Sequence, residues 1–374
     1  VSTDEFQAAG LYDPDDAGAA SRLALLEYLV AAGMSMRDLV AAERTGGLVS
    51  LATEIPLRAG GEPLDLDEVA RRSGTTPDRV RRVRLASGLT PDPGDVGLPP
   101  SVVEDVRAFE AGAQLFGETA TLSFTRVMGA AVSRVADAAV SLFLTERRPG
   151  LAGAGELELA RAAEEATAVF LDVTPRLMAT LLREHMALAI RRSVTERTLE
   201  DDDLAVTVGL AFVDLVGSTA WSSTLTLKEH ALALAGFERA AWDIATDHGG
   251  RVVKLIGDEA MFIAPTGSAA ARIAVELCRE LRRAGDLPEA RGAAGFGTVG
   301  ARDGDYFGPL VNLVARAVKA ADPGSVVVTE AVRDDLHDTA DRDGGGVVEA
   351  LELVELSARR LRGVGEDVRL FAVR

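Results

Sequence analysis

Two apolar runs in this chain each end on an aspartate beside a glycine turn. The first is Phe212-Val213-Asp214-Leu215-Val216-Gly217-Ser218-Thr219, and the second is Lys254-Leu255-Ile256-Gly257-Asp258-Glu259. β-Branched and aromatic residues running into glycine predict strands that stop there, so each carboxylate sits at a strand end. The aspartates are 44 positions apart, far enough for the intervening chain to bring the strand ends together. Two such carboxylates are hard oxygen donors suited to two Mg²⁺ or Mn²⁺ ions. Beside a glycine turn that opens a helix, whose N–H groups face phosphate, they suit nucleoside triphosphate chemistry.

The pattern around these runs differs from the rest of the chain. Residues 1–195 show helical periods, few β-branched runs and clear punctuation. Ser21–Glu43 reads as one amphipathic helix, Asp65 to Glu68 as a capped helix start, and Thr76-Pro77 as another. Leu89–Pro100 contains four prolines and reads as a loop. Ser101–Leu144 and Glu156–Arg192 supply longer helices with Ala, Leu and Val on more than one face, which predicts a bundle or packing against a second copy. Thr195–Asp203 is polar and reads as a linker or switch over 196–203.

From Leu204 to the end at 374, strands and helices alternate. Strands are expected at Leu204–Asp214, Arg251–Ile256, Ala260–Ala264, Gly292–Val299 and Ser325–Val328. Helices are expected at Leu227–His248, Ser268–Ala284 and Pro309–Ala321. The order βαββαβ predicts a ferredoxin-like core, an antiparallel sheet covered by helices on one face, with a final hairpin from Val347–Leu356 and Val368–Val373. The whole chain is α+β: an all-helical part over 1–195 followed by a βαββαβ part over 204–374.

Composition narrows the classes. The net charge is −18, shared equally at −9 by residues 1–200 and 201–374. That argues against a general affinity for nucleic acid or an anionic membrane. The single Cys278 excludes an intramolecular disulfide framework. No signal peptide is visible in residues 1–20. The most apolar stretch, Val127–Leu144, is short for a membrane span and is interrupted by Arg134 and Asp137. A cytoplasmic protein is expected.

Taken singly, each candidate has a plainer reading. Asp214 or Ser218 could cap a helix, and Gly257-Asp258 is ordinary turn chemistry. Lys254 could be a solvated strand residue, Asn312 a hydrogen-bond anchor and Arg316 an ion-pair partner.

Jointly, these positions resemble the class III nucleotidyl cyclases over roughly residues 204–374. Phe212–Thr219 is similar to that family's first metal segment, and Arg251–Asp258 is similar to its second, with a lysine four residues before the metal aspartate. The run Asp305-Tyr306-Phe307-Gly308-Pro309-Leu310-Val311-Asn312-Leu313-Val314-Ala315-Arg316 is similar to its third. Phe307 stands where the family often has tryptophan, and the stretch Gly300–Asp305 is short.

The resemblance implies an adenylyl cyclase that turns ATP into cyclic AMP and pyrophosphate. Asp214 and Asp258 would hold the two metals, with Gly217, Ser218 and Thr219 at the phosphates. Lys254 would donate to the adenine ring nitrogen, and Asp305 would accept from the exocyclic amine. Asn312 would orient the ribose and Arg316 would stabilise transition-state charge. Guanine would leave the Lys254–Asp305 pair with unmatched groups, which argues against the rival reading as a guanylyl cyclase. A non-catalytic nucleotide sensor or DNA-binding regulator is the alternative from another class. In the family the metal aspartates and the base- and ribose-binding residues come from different catalytic domains, so a homodimer is implied.

The helical part resembles the autoinhibitory halves of bacterial cyclases that respond to acid pH. His185, near the junction, is the candidate sensor, with a surface or packing role as its alternative. Leu64–Gly88 has helix-turn-helix spacing with Arg79, Arg81, Arg82 and Arg84, but the acidic charge of the half makes DNA an unfavoured partner.

Overall fold

The computed structural model describes residues 1–58, 61–92, 97–195, 204–342, 351–357, 359–360 and 367–373. The chain divides into two compact units, Val1–Met186 and Ala187–Arg374. The expected linker at 196–203 lies outside the described residues.

The first unit is helical: α1 (Thr3–Ala8), α2 (Ala19–Ala31), α3 (Met36–Arg44), α4 (Leu48–Leu51), α5 (Glu54–Arg58), α6 (Leu66–Ser73), α7 (Pro77–Ala86), α8 (Val102–Phe116), α9 (Glu118–Leu142) and α10 (Glu156–Thr195), which runs on into the second unit. The cap signals act as the sequence indicates. Asp65 accepts from the Glu68 N–H at the start of α6, and Thr76 accepts from the Arg79 N–H at the start of α7, with Pro77 in its first turn.

Ser21–Glu43 is two helices rather than one. Gly33 takes a left-handed φ of 92°, and Ser35 opens α3 in a reciprocal capping box with Asp38. A strong cap inside an apolar period ends one helix and starts another. Leu25, Leu26, Leu29, Leu39 and Phe6 form one core, and Val69, Val80 and Val106 belong to a second.

The arginines of α7 are occupied internally. Arg79 pairs with Glu110 and Glu118, Arg82 with Glu118, and Arg81 with Asp78. Arg84 donates to the Thr90 carbonyl. Beyond their first turns, α9 and α10 carry many exposed apolar side chains, among them Phe124, Val132, Leu177 and Leu182. Among the described residues, Glu118–Leu151 is the one helical stretch long and apolar enough to cross a membrane by length and composition. Arg126, Arg134 and Asp137 lie inside it.

The second unit is a mixed sheet with helices. Its elements are β1 (Ala205–Leu215), α11 (Ser218–Ser222), α12 (Leu227–Asp247), β2 (Arg251–Ile256), β3 (Glu259–Ala264), α13 (Gly267–Ala284), β4 (Ala290–Arg302), β5 (Asp305–Phe307), α14 (Pro309–Ala317), β6 (Val326–Thr329), α15 (Glu330–Arg342), β7 (Leu353–Glu355), β8 (Arg359–Arg360), β9 (Asp367–Val368) and β10 (Leu370–Val373). The main sheet runs β2-β3-β1-β4-β6-β10-β7, with β5 paired to β4 and β8 paired to β9 apart from it. Its first four strands are antiparallel and have the ferredoxin-like order.

Two expectations are corrected here. β6 joins β4 in parallel, so the sheet as a whole is mixed. Helices also cover both faces rather than one. Ala211, Val213 and Leu215 of β1 meet Phe237 of α12 and Leu277 of α13 on one face. Leu210 and Phe212 meet Val314 and Ala317 of α14 on the other. From Val208 to Val213, β1 carries no polar side chain because it is buried from both sides. The expected terminal hairpin exists as β7 against β10, although residues 347–350 of its first arm lie outside the described residues.

Candidate active site

The alternation along β1 that turns Leu210 and Phe212 to the α14 face carries Asp214 to the same face at the strand's end. Its side chain is nearly buried. Arg291 on β4 is its register neighbour on one side, and Glu259 on β3 is its neighbour on the other. Arg291 donates from Nη2 and Nε to one carboxylate oxygen of Asp214, at 2.8 and 3.1 Å.

Asp258 arrives from the tip of the β2–β3 hairpin. β3, not β2, is the strand beside β1, so the route to Asp214 is through the tip rather than through neighbouring strands. Two bonds fix that tip. The Leu215 N–H donates to the Asp258 carbonyl at 3.2 Å, and the Ser218 hydroxyl donates to the Asp258 carboxylate. Gly217 takes φ 71° as the residue before α11, a conformation that glycine adopts without strain.

Asp214, Gly217, Ser218, Thr219 and Asp258 therefore line one cleft of about 350 Å³. Glu259, Arg291 and Lys319 complete its wall. Burial pushes the Glu259 carboxyl up, and the neighbouring Asp214 charge adds to that, against the opposing pull of Lys319. Among the described residues no three His, Cys, Asp or Glu side chains gather as a self-contained metal cage. The donor set fits a different arrangement, in which one or two carboxylates share a hard divalent ion with phosphate oxygens.

A second group lies on the α14 face of the sheet. Lys254 is opposite Met261 in register, and Met261 belongs to the core on that face. Its Nζ donates to both oxygens of Asp305 at 2.7 and 2.6 Å. Burial alone would raise the Asp305 carboxyl, but the Lys254 hydrogen bond and the Tyr306 N–H outweigh it and hold the group below its ordinary value. Asn312 and Arg316, one turn apart on α14, are both exposed, while Val314 and Ala317 of that helix face the core. None of Lys254, Asp305, Asn312 and Arg316 lines the cleft of the two aspartates. His185 is exposed on α10.

No family model matches the chain. An uncharacterized protein of Mycobacterium tuberculosis is 35% identical over 340 residues, 90% of this chain and 87% of that protein. An adenylate cyclase of Glutamicibacter nicotianae is 37% identical over 144 residues, 38% of this chain and 36% of its own length. A pH-sensitive adenylate cyclase of M. tuberculosis is 27% identical over 230 residues, 59% of this chain and 55% of that protein. Over part of its length, then, the chain is similar to adenylate cyclases.

Three cleft residues escaped the sequence reading. Arg291 and Glu259 are 77 and 45 positions from Asp214 and meet it only through sheet register. The one available signal was Arg291 immediately before the strand expected at Gly292–Val299. Lys319 reaches the cleft because α14 ends in a 3₁₀ turn, Val318–Ala320, which no spacing in the sequence foretells.

Proposed function

We propose that this protein converts ATP to 3′,5′-cyclic AMP and pyrophosphate at two composite sites of a homodimer. The observation that carries the reading is the separation of two half-sites in one chain. Among the described residues the wall of the Asp214–Asp258 cleft includes none of Lys254, Asp305, Asn312 and Arg316, which are presented elsewhere on the unit. Two catalytic units facing one another would complete both sites.

Two Mg²⁺ or Mn²⁺ ions held by Asp214 and Asp258 would supply a more acidic ribose 3′-hydroxyl and neutralise charge on the leaving pyrophosphate. The remaining work falls to the chain. The N–H groups after Gly217 and the Ser218 and Thr219 side chains bind phosphate oxygens. Lys254 donates to the adenine ring nitrogen, and Asp305 accepts from the exocyclic amine. Guanine, with a carbonyl and a ring N–H there, would leave both unpaired. Asn312 fixes the ribose for in-line attack on the α-phosphate, and Arg316 faces the charge that develops on it.

The helical unit would regulate the reaction and share in the dimer. Exposed apolar side chains along α9 and α10 support a second copy as their cover, and the internal pairing of Arg79, Arg81 and Arg82 leaves little for DNA. Similarity to a pH-sensitive adenylate cyclase supports control by acidification in the cytoplasm, with His185 as the candidate sensor. The test is cyclic AMP production from Mn-ATP by the full chain and by residues 201–374, from about pH 5.5 to 8. An active fragment with a full chain released only at acid pH supports the reading. ATP binding without product in both would contradict it. A pH profile unchanged by His185→Gln would remove His185 from it.

A further inference from the structure

Lys254 and Asp305 face each other across strands that do not pair. Among the described residues β2 is the sheet edge, bonded to β3, and β5 is bonded to β4. A base-reading pair made this way depends on something else to hold β5 against β2.

Arg251 and Tyr306 supply that link. Arg251 lies three residues before Lys254 on β2, and Tyr306 directly follows Asp305 on β5. Arg251 Nη2 donates to the Tyr306 hydroxyl at 3.0 Å, and its guanidinium carbon lies 5.4 Å from the ring centroid, within cation–π range. Tyr306 is 9% exposed and belongs to the α14-face core. Its backbone N–H donates to the Asp305 carboxylate at 2.8 Å, so the carboxylate is tied to the backbone that carries the Tyr306 ring.

The backbone of β2 is shaped for this. Residues three apart on a regular strand point to opposite faces. Arg251 and Lys254 nevertheless sit opposite Ile263 and Met261, two residues that share the α14-face core. The register shift between Val252 and Lys254 is an irregularity of the kind that re-aims a side chain. Arg251 Nε is buried without a hydrogen-bond partner among the described residues. Such a group has a cost, which the ring contact and the Tyr306 bond offset.

We propose that Arg251, clasped to Tyr306, is a positioning residue that sets base selectivity by holding Asp305 at a fixed place beside Lys254. The proposal rests on the reading that Lys254 and Asp305 select adenine. A loosened clasp lets Asp305 drift, and adenine loses its advantage over guanine while the metal cleft stays intact.

The experiment measures kcat/KM for ATP and for GTP with the full-length wild type, Arg251→Met, Arg251→Lys, Tyr306→Phe and Lys254→Ala. Arg251→Met is expected to lower the ATP-to-GTP ratio about tenfold. Tyr306→Phe keeps the ring and loses the hydroxyl, so its drop is smaller. Arg251→Lys restores a cation over the ring and part of the ratio. A merely structural role would lower both nucleotides together and leave the ratio unchanged, and that result overturns the proposal. If Arg251→Met fails to fold, Tyr306→Phe carries the same decision through relative binding of fluorescent adenine and guanine nucleotides. A ratio moved by Lys254→Ala but not by the Arg251 and Tyr306 variants refutes the clasp alone. A ratio unmoved by Lys254→Ala refutes the adenine reading and the clasp with it.

Discussion

Asp214 accepts two hydrogen bonds from Arg291 on one side and faces the Glu259 carboxylate on the other, at a strand end 8% exposed. Substituting Asn at Asp214 or Asp258 removes a charge that the proposed ions require, and activity with Mn-ATP should fall at least ~100-fold with little loss of folding. A loss under tenfold would contradict the assignment. Glu259 makes a pH prediction. Its carboxyl is raised by burial and by Asp214, so the folded state favours the protonated form. That contribution to stability is complete below the ordinary carboxylate pKa and is lost as pH rises through the raised folded value. Glu259→Gln should therefore raise the melting temperature of metal-free protein more at pH ~7 than at pH ~4. An equal or opposite change would contradict the sign. At this scale Asp214 and Asp258 were readable from apolar runs that end beside glycine, whereas Lys254 and Asp305 came from the family resemblance. The sequence did not expose Arg291 or Glu259, whose meeting with Asp214 is a property of the sheet.

Among elements, β1 and the start of α13 approach closely at Gly209. A Cβ built there would lie 1.9 Å from the Thr266 carbonyl oxygen and 3.0 Å from the Ala270 methyl. Backbone cannot yield as a flexible side chain can, so Gly209→Ala should cost about 3 kcal/mol or more by chemical denaturation. A change under about 1 kcal/mol would mean that α13 can shift without penalty. Element types were largely readable here, because strand and helix periods differ and caps such as Asp65 and Thr76 mark starts. The break at Gly33–Ser35 was hidden by apolar residues that continue across it. The second helical layer was hidden too, since a strand buried on both faces reads the same whichever helices cover it. α15 follows β6 without a gap, and its thirteen residues hold few apolar positions to show a period.

At the scale of the molecule, the proposed function requires one chain to present two incomplete sites. The helical unit adds long helices whose apolar side chains remain exposed in the single chain. Their excess of Ala, Leu and Val was visible in the sequence, but the identity of their cover was not, because a bundle and a second copy demand the same composition. The decisive measurement mixes two inactive variants, Asp214→Ala and Asn312→Ala, under conditions that let protomers exchange. Half of the resulting dimers would be mixed, each with one intact site of two, so about a quarter of wild-type cyclic AMP production should return. No recovery in a sample shown to contain mixed dimers would contradict the shared-site account.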